Sequence, residues 1–304
     1  MRVLILGGEG MLGHKVFQVL SDRFETFATF RSVNGLWTRY PVYEGLERGR
    51  TIGGVNVMDF DTVVRAFAQV KPAVAINCIG IVKQLKEAKD PVVSINLNSL
   101  FPHRLAELCA ATGTRMFHMS TDCVFSGRKG NYTEDDIPDA EDLYGRTKLL
   151  GEVNREGCLT IRTSIFGRDF AKQSALLEWF LSNRGGQVRG YVNAIYTGFP
   201  TPVLARIMGD LIADYPDLSG LYQVSSAPIS KYELLVKIRD AMELGIDIEP
   251  DESFHCDRSL DSSRFRAETG YRIPSWDEMI AELAQDDTPY DEAVRQWRER
   301  YATA

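Results

Sequence analysis

A tyrosine and a lysine four residues apart are the side chains best suited to chemistry in this sequence. Tyr144 and Lys148 lie in the segment Y-G-R-T-K, where a helical pattern begins, so they share one helix face, one turn apart. A phenol has a pKa of about 10 and exchanges protons poorly at neutral pH. A nearby ammonium stabilises the phenolate and lowers that pKa. The pair predicts proton transfer at a substrate oxygen; the alternative is an ordinary exposed helix pair, which is common by chance.

Two hydroxyl groups stand at the end of a predicted strand upstream of this pair. The apolar run Arg115–Met119 leads directly into Ser120 and Thr121. A hydroxyl at a strand end can hold a substrate oxygen beside the phenol. The sequence therefore predicts four catalytic residues: Tyr144, Lys148, Thr121 and Ser120.

Three glycines near the amino terminus predict a binding site for a dinucleotide. Gly7, Gly10 and Gly13 follow the apolar run Val3–Leu6 and precede a helical pattern. A turn of this kind brings backbone N–H groups and a helix N-terminus onto an anion, typically a dinucleotide pyrophosphate. The alternative is a tight strand-to-helix turn that binds no ligand.

The end of the second predicted strand indicates which cofactor is preferred. An acidic residue there would accept hydrogen bonds from a ribose 2′-OH and favour NAD, but the sequence has Arg31. An arginine suits a 2′-phosphate, and Ser32 can add a hydrogen bond. The sequence favours NADPH, with NADH as an open alternative; an exposed surface arginine is the other interpretation of Arg31.

The elements around these residues predict an α/β fold with a doubly wound (Rossmann) parallel sheet. Up to residue 165, apolar strands alternate with helices, which is the pattern of a parallel sheet covered on both faces. Beyond it the segments predict a smaller, mixed α/β lobe. We therefore expect a dinucleotide-binding domain at 1–165 and a substrate-binding lobe at 166–304, which can interleave with the first. The predicted strands of the first domain are Val3–Leu6, Phe27–Phe30, Gly54–Val57, Ala73–Ile76, Arg115–Met119 and Leu159–Arg162. We also expect a long loop at Ser32–Gly53, a helix at Asn98–Ala111 and a charged, amphipathic final helix at Tyr290–Tyr301.

Composition narrows the classes of function. The 304-residue chain has a net charge of −7 with scattered basic residues, which argues against a nucleic-acid partner. No apolar run has the length of a membrane span, and no signal-peptide pattern precedes the first strand. Five dispersed cysteines predict reduced thiols in a cytoplasm, and four histidines without ligand spacing predict no metal site. A homodimer is expected from base rates alone.

These motifs together resemble the extended short-chain dehydrogenase/reductases, and within them the dTDP-4-dehydrorhamnose reductases and their sugar-nucleotide relatives. The likeness covers nearly the full chain. Besides the glycine turn it rests on these segments: S-T-D-C-V-F-S-G at 120–127, Y-G-R-T-K-L-L-G-E at 144–152, R-T-S at 162–164, F-P-T at 199–201, G-L-Y-Q at 220–223 and R-S-L-D-S at 258–262.

The resemblance implies a role for individual residues. Tyr144 would protonate the substrate carbonyl oxygen, Lys148 would hold the nicotinamide ribose and depress the tyrosine pKa, and Thr121 would bind the substrate oxygen. The implied cofactor contacts are Gly7, Gly10, Met11, Leu12 and Gly13 at the pyrophosphate, Asp59 and Phe60 at the adenine, and Asn77, Cys78 and Ile79 at a strand end. The expected substrate contacts are Lys83, Asp122, Val124, Phe125 and Arg258, the last near the phosphates.

The resemblance also implies an activity, which is NADPH-dependent reduction of the C4 ketone of a nucleoside-diphosphate 4-keto-6-deoxy sugar. One alternative is a redox-neutral epimerase of the same superfamily. A dehydratase is disfavoured because Cys123 follows Asp122, where an Asp/Glu pair is needed. A third interpretation is a cofactor-binding regulatory subunit without turnover. Departures from the family pattern at Cys123, Ile79–Lys83 and Asp139–Leu143 leave the sugar and the nucleotide open.

Overall fold

The structure of the protein is a computed structural model, which describes residues 1–31, 43, 50–81, 86–170, 175–292 and 295. Its strands are β1 (Arg2–Leu6), β2 (Glu25–Thr29), β3 (Thr51–Ile52), β4 (Val74–Asn77), β5 (Arg115–Met119), β6 (Cys158–Arg162), β7 (Ile165–Phe166), β8 (Gln187–Tyr191), β9 (Ala194–Tyr196), β10 (Phe199–Pro200), β11 (Gly220–Gln223), β12 (Ile229–Ser230), β13 (Asp247–Asp251) and β14 (Cys256–Asp257). Its α-helices are α1 (Met11–Ser21), α2 (Phe60–Val70), α3 (Pro91–Ser94), α4 (Phe101–Thr112), α5 (Leu143–Leu150), α6 (Leu176–Leu181), α7 (Thr201–Asp214), α8 (Lys231–Ala241), α9 (Ser263–Thr269) and α10 (Trp276–Ala284).

Within the described residues, seven parallel strands form one sheet in the order β3-β2-β1-β4-β5-β6-β11. The order reverses between β1 and β4, which is the point where ligands of doubly wound sheets bind, beyond the carboxyl ends of the strands. The predicted Rossmann fold is confirmed. The smaller sheets are β12-β9-β14, β13-β8 and β10-β7.

Alternate residues of β1 pack into two different apolar clusters, one on each face of the sheet. Val3 and Ile5 belong to the apolar cluster that includes α1 and α7, whereas Leu4 and Leu6 belong to the cluster that includes α2 and α4. Successive strand residues point to opposite faces, and all four of these side chains are fully buried. A continuous apolar run therefore forms a strand that is covered by helices on both sides.

The sheet takes strands from both sides of the expected domain boundary at residue 165. The chain leaves the sheet after β6, passes through residues of the smaller lobe, and returns to place β11 beside β6. Helix α7 shares the apolar cluster of α1. The boundary stays a prediction, and the two parts interleave.

Two predicted elements differ from those observed, and two others cannot be compared. The strand predicted at Gly54–Val57 is wrong: the edge strand is β3, and Gly54 with φ +72° ends the extended chain. The helix predicted from Asn98 begins instead as a π-helical turn, Ile95–Leu100, before α4. The final helix predicted at Tyr290–Tyr301 and the loop at Ser32–Gly53 fall largely outside the described residues. Across the helices that the structure describes, none is long and apolar enough to cross a bilayer.

Candidate active site

The glycine turn joins β1 to α1 at the point where the sheet order reverses. Gly7 has φ +92°, a conformation that favours glycine, and the Gly10 N–H donates to Gly7 O over 3.1 Å. A methyl group on Gly13 would lie 2.0 Å from Gly7 O, so the helix backbone packs directly on the turn. Gly10 is the N-cap of α1, and within the described part of the chain no side chain caps that helix end. The first N–H groups of α1 thus lie at an anion-binding position without a described side-chain partner.

Gly10, unlike Gly13, has room around it for a side chain. An added methyl group would meet Gly7 O at 3.5 Å, an ordinary contact, and the backbone (φ −81°, ψ 162°) suits any residue. The fold itself therefore does not require glycine at this position. A ligand that approaches the helix N-terminus closely does require it, so the turn fits a dinucleotide pyrophosphate.

The predicted catalytic pair, Tyr144 and Lys148, lies on α5, which packs against the turn at the end of β5. Asp142 caps the helix by accepting from the Gly145 N–H over 2.8 Å. A methyl group on Gly145 would lie 2.2 Å from Cys123 O. That helix backbone contacts the strand-end turn directly, and the Tyr144 phenol lies near enough to the Thr121 hydroxyl for Thr121 to influence its pKa.

Burial determines the protonation of the Tyr144 phenol. Desolvation raises the pKa of Tyr144 far above its usual value, nearby Cys123 and Asp122 raise it further, and the nearby Thr121 hydroxyl opposes the rise. Thr121 itself donates to Asp122 Oδ1 over 3.1 Å and accepts from the Cys123 N–H. At neutral pH the phenol carries its proton and can act as an acid.

Lys148 is buried one turn from Tyr144. Its Nζ donates to Met119 O over 2.5 Å, and burial lowers the pKa of Lys148 to about 8, opposed by Glu152 and Cys78. The ammonium thus bonds a strand-end carbonyl, and the largest influences on the Tyr144 pKa are burial, Cys123 and Thr121. The predicted lowering of the phenol pKa by Lys148 remains a prediction.

The Ser120 side chain forms a hydrogen bond with a buried ion pair. Its hydroxyl donates to Glu152 Oε1 over 2.6 Å, and both carboxylate oxygens of Glu152 bond Arg162 at 2.8 Å. The partners of this pair are 6% and 5% exposed. Thr121 is therefore the hydroxyl that meets the phenol, and Ser120 joins the strand end to the ion pair behind it.

The cofactor residues predicted at other strand ends lie around the turn. Asn77 ends β4, accepts from the Ile79 N–H over 3.0 Å and bonds His118 over 3.1 Å. A methyl group on Gly7 would lie 2.8 Å from Ile79 Cγ1, so this strand end contacts the glycine turn. Burial raises the pKa of Cys78 to about 12, which makes it a neutral thiol.

The residues predicted to bind the adenosine end of the cofactor are more exposed than those around the glycine turn. Arg31 is exposed just after β2, and its backbone N–H donates to Glu9 Oε1 over 3.3 Å. Asp59 is the exposed N-cap of α2, and the Phe60 ring packs under the Arg104 guanidinium at 4.1 Å. Ser32 and Lys83 lie outside the described residues.

A cleft of about 310 Å³ opens next to the amino-terminal end of α5, at Asp142, although neither Tyr144 nor Lys148 is in its lining. Its lining comprises Cys123, Phe125, Ser126, Arg128, Ala140, Glu141, Asp142 and Arg258. Arg258 Nε donates to Phe125 O over 2.9 Å, and Arg258 lowers the pKa of Asp122 while burial raises it more strongly. Val124 is not in this lining: it is fully buried in the cluster with Phe125, Tyr132 and Leu260.

The structure adds two groups of candidate site residues to those that the sequence predicts. Arg128 and Glu141 line the cleft as an exposed ion pair. Asn98 is buried, accepts from the Ile81 N–H over 2.9 Å and donates to the Thr147 hydroxyl on α5 over 3.2 Å. A polar residue inside the apolar helical run I-N-L-N-S-L was the signal for Asn98. Among the described residues, no group of three or more His, Cys, Asp or Glu is placed to hold a metal ion.

Comparison with known proteins gives the family. The model described as the RmlD substrate binding domain matches residues 1–288 of the chain. The chain belongs to this family. The resemblance drawn from the glycine turn and the Tyr144 segment is thereby confirmed.

Curated relatives of this RmlD-family chain carry two different names. A protein from Rattus norvegicus named "Methionine adenosyltransferase 2 subunit beta" is 28% identical over 256 residues, which are 80% of this chain and 72% of that one. A Streptomyces griseus protein named "dTDP-4-dehydrorhamnose reductase" is 30% identical over 152 residues, half of this chain and 43% of that one.

Solved structures agree with the fold. A hypothetical dTDP-4-dehydrorhamnose reductase from Sulfolobus tokodaii superposes with a TM-score of 0.72 at 26% identity, covering 91% of this chain and 98% of that one. A dTDP-4-dehydrorhamnose reductase from Bacillus anthracis, solved in complex with NADP, has a TM-score of 0.72 at 20% identity and covers 93% and 98%.

Proposed function

We propose that the protein reduces the C4 ketone of a nucleoside-diphosphate 4-keto-6-deoxy sugar with NADPH. The observation that carries the proposal is the grouping of three side chains at the end of β5: the Tyr144 phenol, which burial keeps protonated, the nearby Thr121 hydroxyl, and buried Lys148 one helical turn away. A cofactor-binding protein without turnover has no need of this acid–base arrangement. Retention of all three groups therefore favours an enzyme.

The reaction places distinct demands on the three side chains. A bound reduced nicotinamide supplies the hydride. Thr121 orients the ketone oxygen by hydrogen bonding, and Tyr144 donates its proton to that oxygen as negative charge develops. Buried Lys148, whose pKa is lowered to about 8, places positive charge near the phenolate that remains and so stabilises it.

The cleft fits the diphosphate end of the substrate. Arg128 and Arg258 both line it, within a chain of net charge −7. Guanidinium groups bind phosphate oxygens through paired hydrogen bonds. The ion pair of Arg128 with Glu141 is exposed and weak, so a phosphate competes with it readily.

Alanine at Gly10 and at Gly13 is expected to separate cofactor binding from folding. Gly13→Ala forces a methyl group against Gly7 O, and we expect it to lower the free energy of unfolding by roughly 2 kcal/mol or more. Gly10→Ala costs under about 1 kcal/mol at an N-cap but obstructs the pyrophosphate, so NADPH affinity falls about tenfold or more. Urea denaturation and calorimetric titration measure the two effects. A Gly10→Ala protein that binds NADPH normally would contradict the assigned cofactor site.

Arg31→Ala is expected to change cofactor preference. Loss of the guanidinium removes a charged partner of the 2′-phosphate, so NADPH affinity falls about tenfold, whereas NADH affinity stays the same. Arg184→Ala, an exposed arginine of the smaller lobe, is the control and leaves both affinities unchanged. An equal loss of affinity for NADPH and NADH would mean that Arg31 does not bind the 2′-phosphate.

A second candidate is a regulatory subunit that binds the cofactor without turnover. Its support is the group of relatives named as a subunit of an adenosyltransferase. A redox-neutral epimerase is the other alternative, and it keeps the same catalytic residues.

The discriminating experiment follows NADPH oxidation with a panel of nucleoside-diphosphate 4-keto-6-deoxy sugars, with NADH in parallel. Turnover with one sugar supports the reductase. Tight NADPH binding without oxidation supports the subunit. Conversion of a sugar nucleotide without net oxidation supports the epimerase.

A further inference from the structure

A buried histidine links the glycine turn to the carboxyl-terminal part of the chain. His14 on α1 is fully buried, with Nδ1 2.9 Å from Gly10 O and Nε2 2.8 Å from Tyr290 Oη. A carbonyl oxygen only accepts, so Nδ1 carries the hydrogen and Nε2 accepts from the Tyr290 hydroxyl. A single hydrogen-bonded chain thus runs from Tyr290 to the N-cap residue of the cofactor turn.

The segment that contains Tyr290 is fastened to α1 at further points. Lys15 Nζ donates to Asp286 Oδ1 over 2.8 Å and to Thr288 Oγ1 over 3.0 Å, and the Lys15–Asp286 pair is 5% and 11% exposed. The Tyr290 ring packs against Phe170 with ring centroids 4.8 Å apart. We call Asp286, Thr288 and Tyr290 the carboxyl-terminal clasp.

The clasp acts on the peptide group that faces the cofactor. Gly10 O accepts from both the backbone N–H and the Nδ1–H of His14, at 3.0 and 2.9 Å. Because a trans peptide is planar, fixing this carbonyl along the helix axis fixes the Met11 N–H in the opposite direction. That N–H then points out of the helix N-terminus, where anions bind.

We propose that His14 and Tyr290 are positioning residues for the dinucleotide, and that cofactor affinity depends on the contacts between the carboxyl-terminal clasp and α1. The proposal rests on the cofactor assigned under the proposed function and holds for a reductase and for a non-catalytic subunit alike. The family model ends at residue 288, so Tyr290 lies beyond the matched part of the chain.

The protonation of His14 agrees with this arrangement. Burial lowers the pKa of His14 to about 4; Lys15 also lowers it, while the Gly10 carbonyl and Asp286 oppose the shift. The imidazole is therefore neutral at neutral pH, and Nε2 keeps the lone pair that accepts from Tyr290.

The test removes one hydroxyl and keeps the ring. In Tyr290→Phe we expect the dissociation constant for NADPH, measured by calorimetry, to rise roughly three- to tenfold. We also expect faster hydrogen exchange in the peptide that spans residues 7–14. Tyr215→Phe is the matched control, because its hydroxyl bonds Thr269 O over 2.8 Å in another part of the chain; its NADPH affinity stays that of the wild type.

A reciprocal measurement covers the case in which Tyr290→Phe does not fold. By linkage, NADPH added to the wild-type protein slows hydrogen exchange in residues 286–290. No slowing, or an unchanged dissociation constant in Tyr290→Phe, overturns the clasp while the cofactor assignment stands. A wild-type protein that binds neither NADPH nor NADH overturns the cofactor assignment, and the clasp with it.

Discussion

Tyr144→Phe is expected to lower the rate of ketone reduction by about 10²- to 10⁴-fold, the range for loss of a positioned acid. The phenol that meets Thr121 is protonated at neutral pH because burial raises its pKa, and Phe has no proton to donate. Affinity for NADPH is expected to stay within about twofold, because the ring remains and Lys148 keeps its bond to Met119 O. Turnover under saturating NADPH and calorimetric binding measure the two quantities.

Thr121→Ser and Thr121→Val supply the matched controls for this result. Serine keeps a hydroxyl to accept from the Cys123 N–H and to meet the phenol, so Thr121→Ser retains most of the rate, whereas Thr121→Val loses it. Loss in Tyr144→Phe with retention in Thr121→Ser identifies the acid and its partner separately. A Tyr144→Phe protein with undiminished turnover would remove the phenol from the mechanism. The regulatory subunit would give a different result. The wild-type protein would bind NADPH without reducing any sugar, and the Tyr144→Phe variant would affect a partner protein as strongly as the wild type does.

Arg162→Met is expected to cost 3–5 kcal/mol in free energy of unfolding, the typical penalty for breaking a buried ion pair. The substitution leaves the Glu152 carboxylate buried, with the Ser120 hydroxyl as its described side-chain donor at 2.6 Å. Urea denaturation measures the effect as a lower midpoint at unchanged slope. Lys237→Met is the matched control: its partner Asp277 is 84% exposed, and loss of such a pair costs under about 1 kcal/mol.

The double variant Arg162→Met, Glu152→Gln tests the cause of that loss. If the penalty comes from the unpaired carboxylate, neutralising Glu152 restores part of the stability, and the two changes are not additive. If the double variant is as unstable as the sum of the single ones, loss of the contact between the Arg162 guanidinium and the Phe125 ring is the larger effect.

The parts of the site that could be predicted from the sequence are those with local spacing. The glycines of the turn and the Tyr144–Lys148 pair occupy fixed positions relative to one strand or one helix, so their pattern indicated their geometry. Gly145 was part of that motif, but its close approach to Cys123 O depends on how α5 packs, which spacing does not describe.

Long-range partners could not be predicted in the same way. His14 and Tyr290 are 276 residues apart, and Arg128 pairs at the cleft with Glu141, which lies further along the chain. The choice between Ser120 and Thr121 depended on Glu152, whose pairing with Arg162 is set by adjacent elements. The strand predicted at Gly54–Val57 failed because its apolar pattern was short and Gly54 turns the chain.

The position of β11 at the end of the sheet has a consequence for biosynthesis. While the ribosome is still making the smaller lobe, β6 has no neighbour on its outer side, although all five of its residues are buried in the finished sheet. An apolar strand with open hydrogen-bonding groups is a template for pairing with other chains. The nascent protein must therefore keep β6 shielded until residues 220–223 emerge. A fragment that ends at residue 165 exposes an unpaired, aggregation-prone edge strand and is not an autonomous domain.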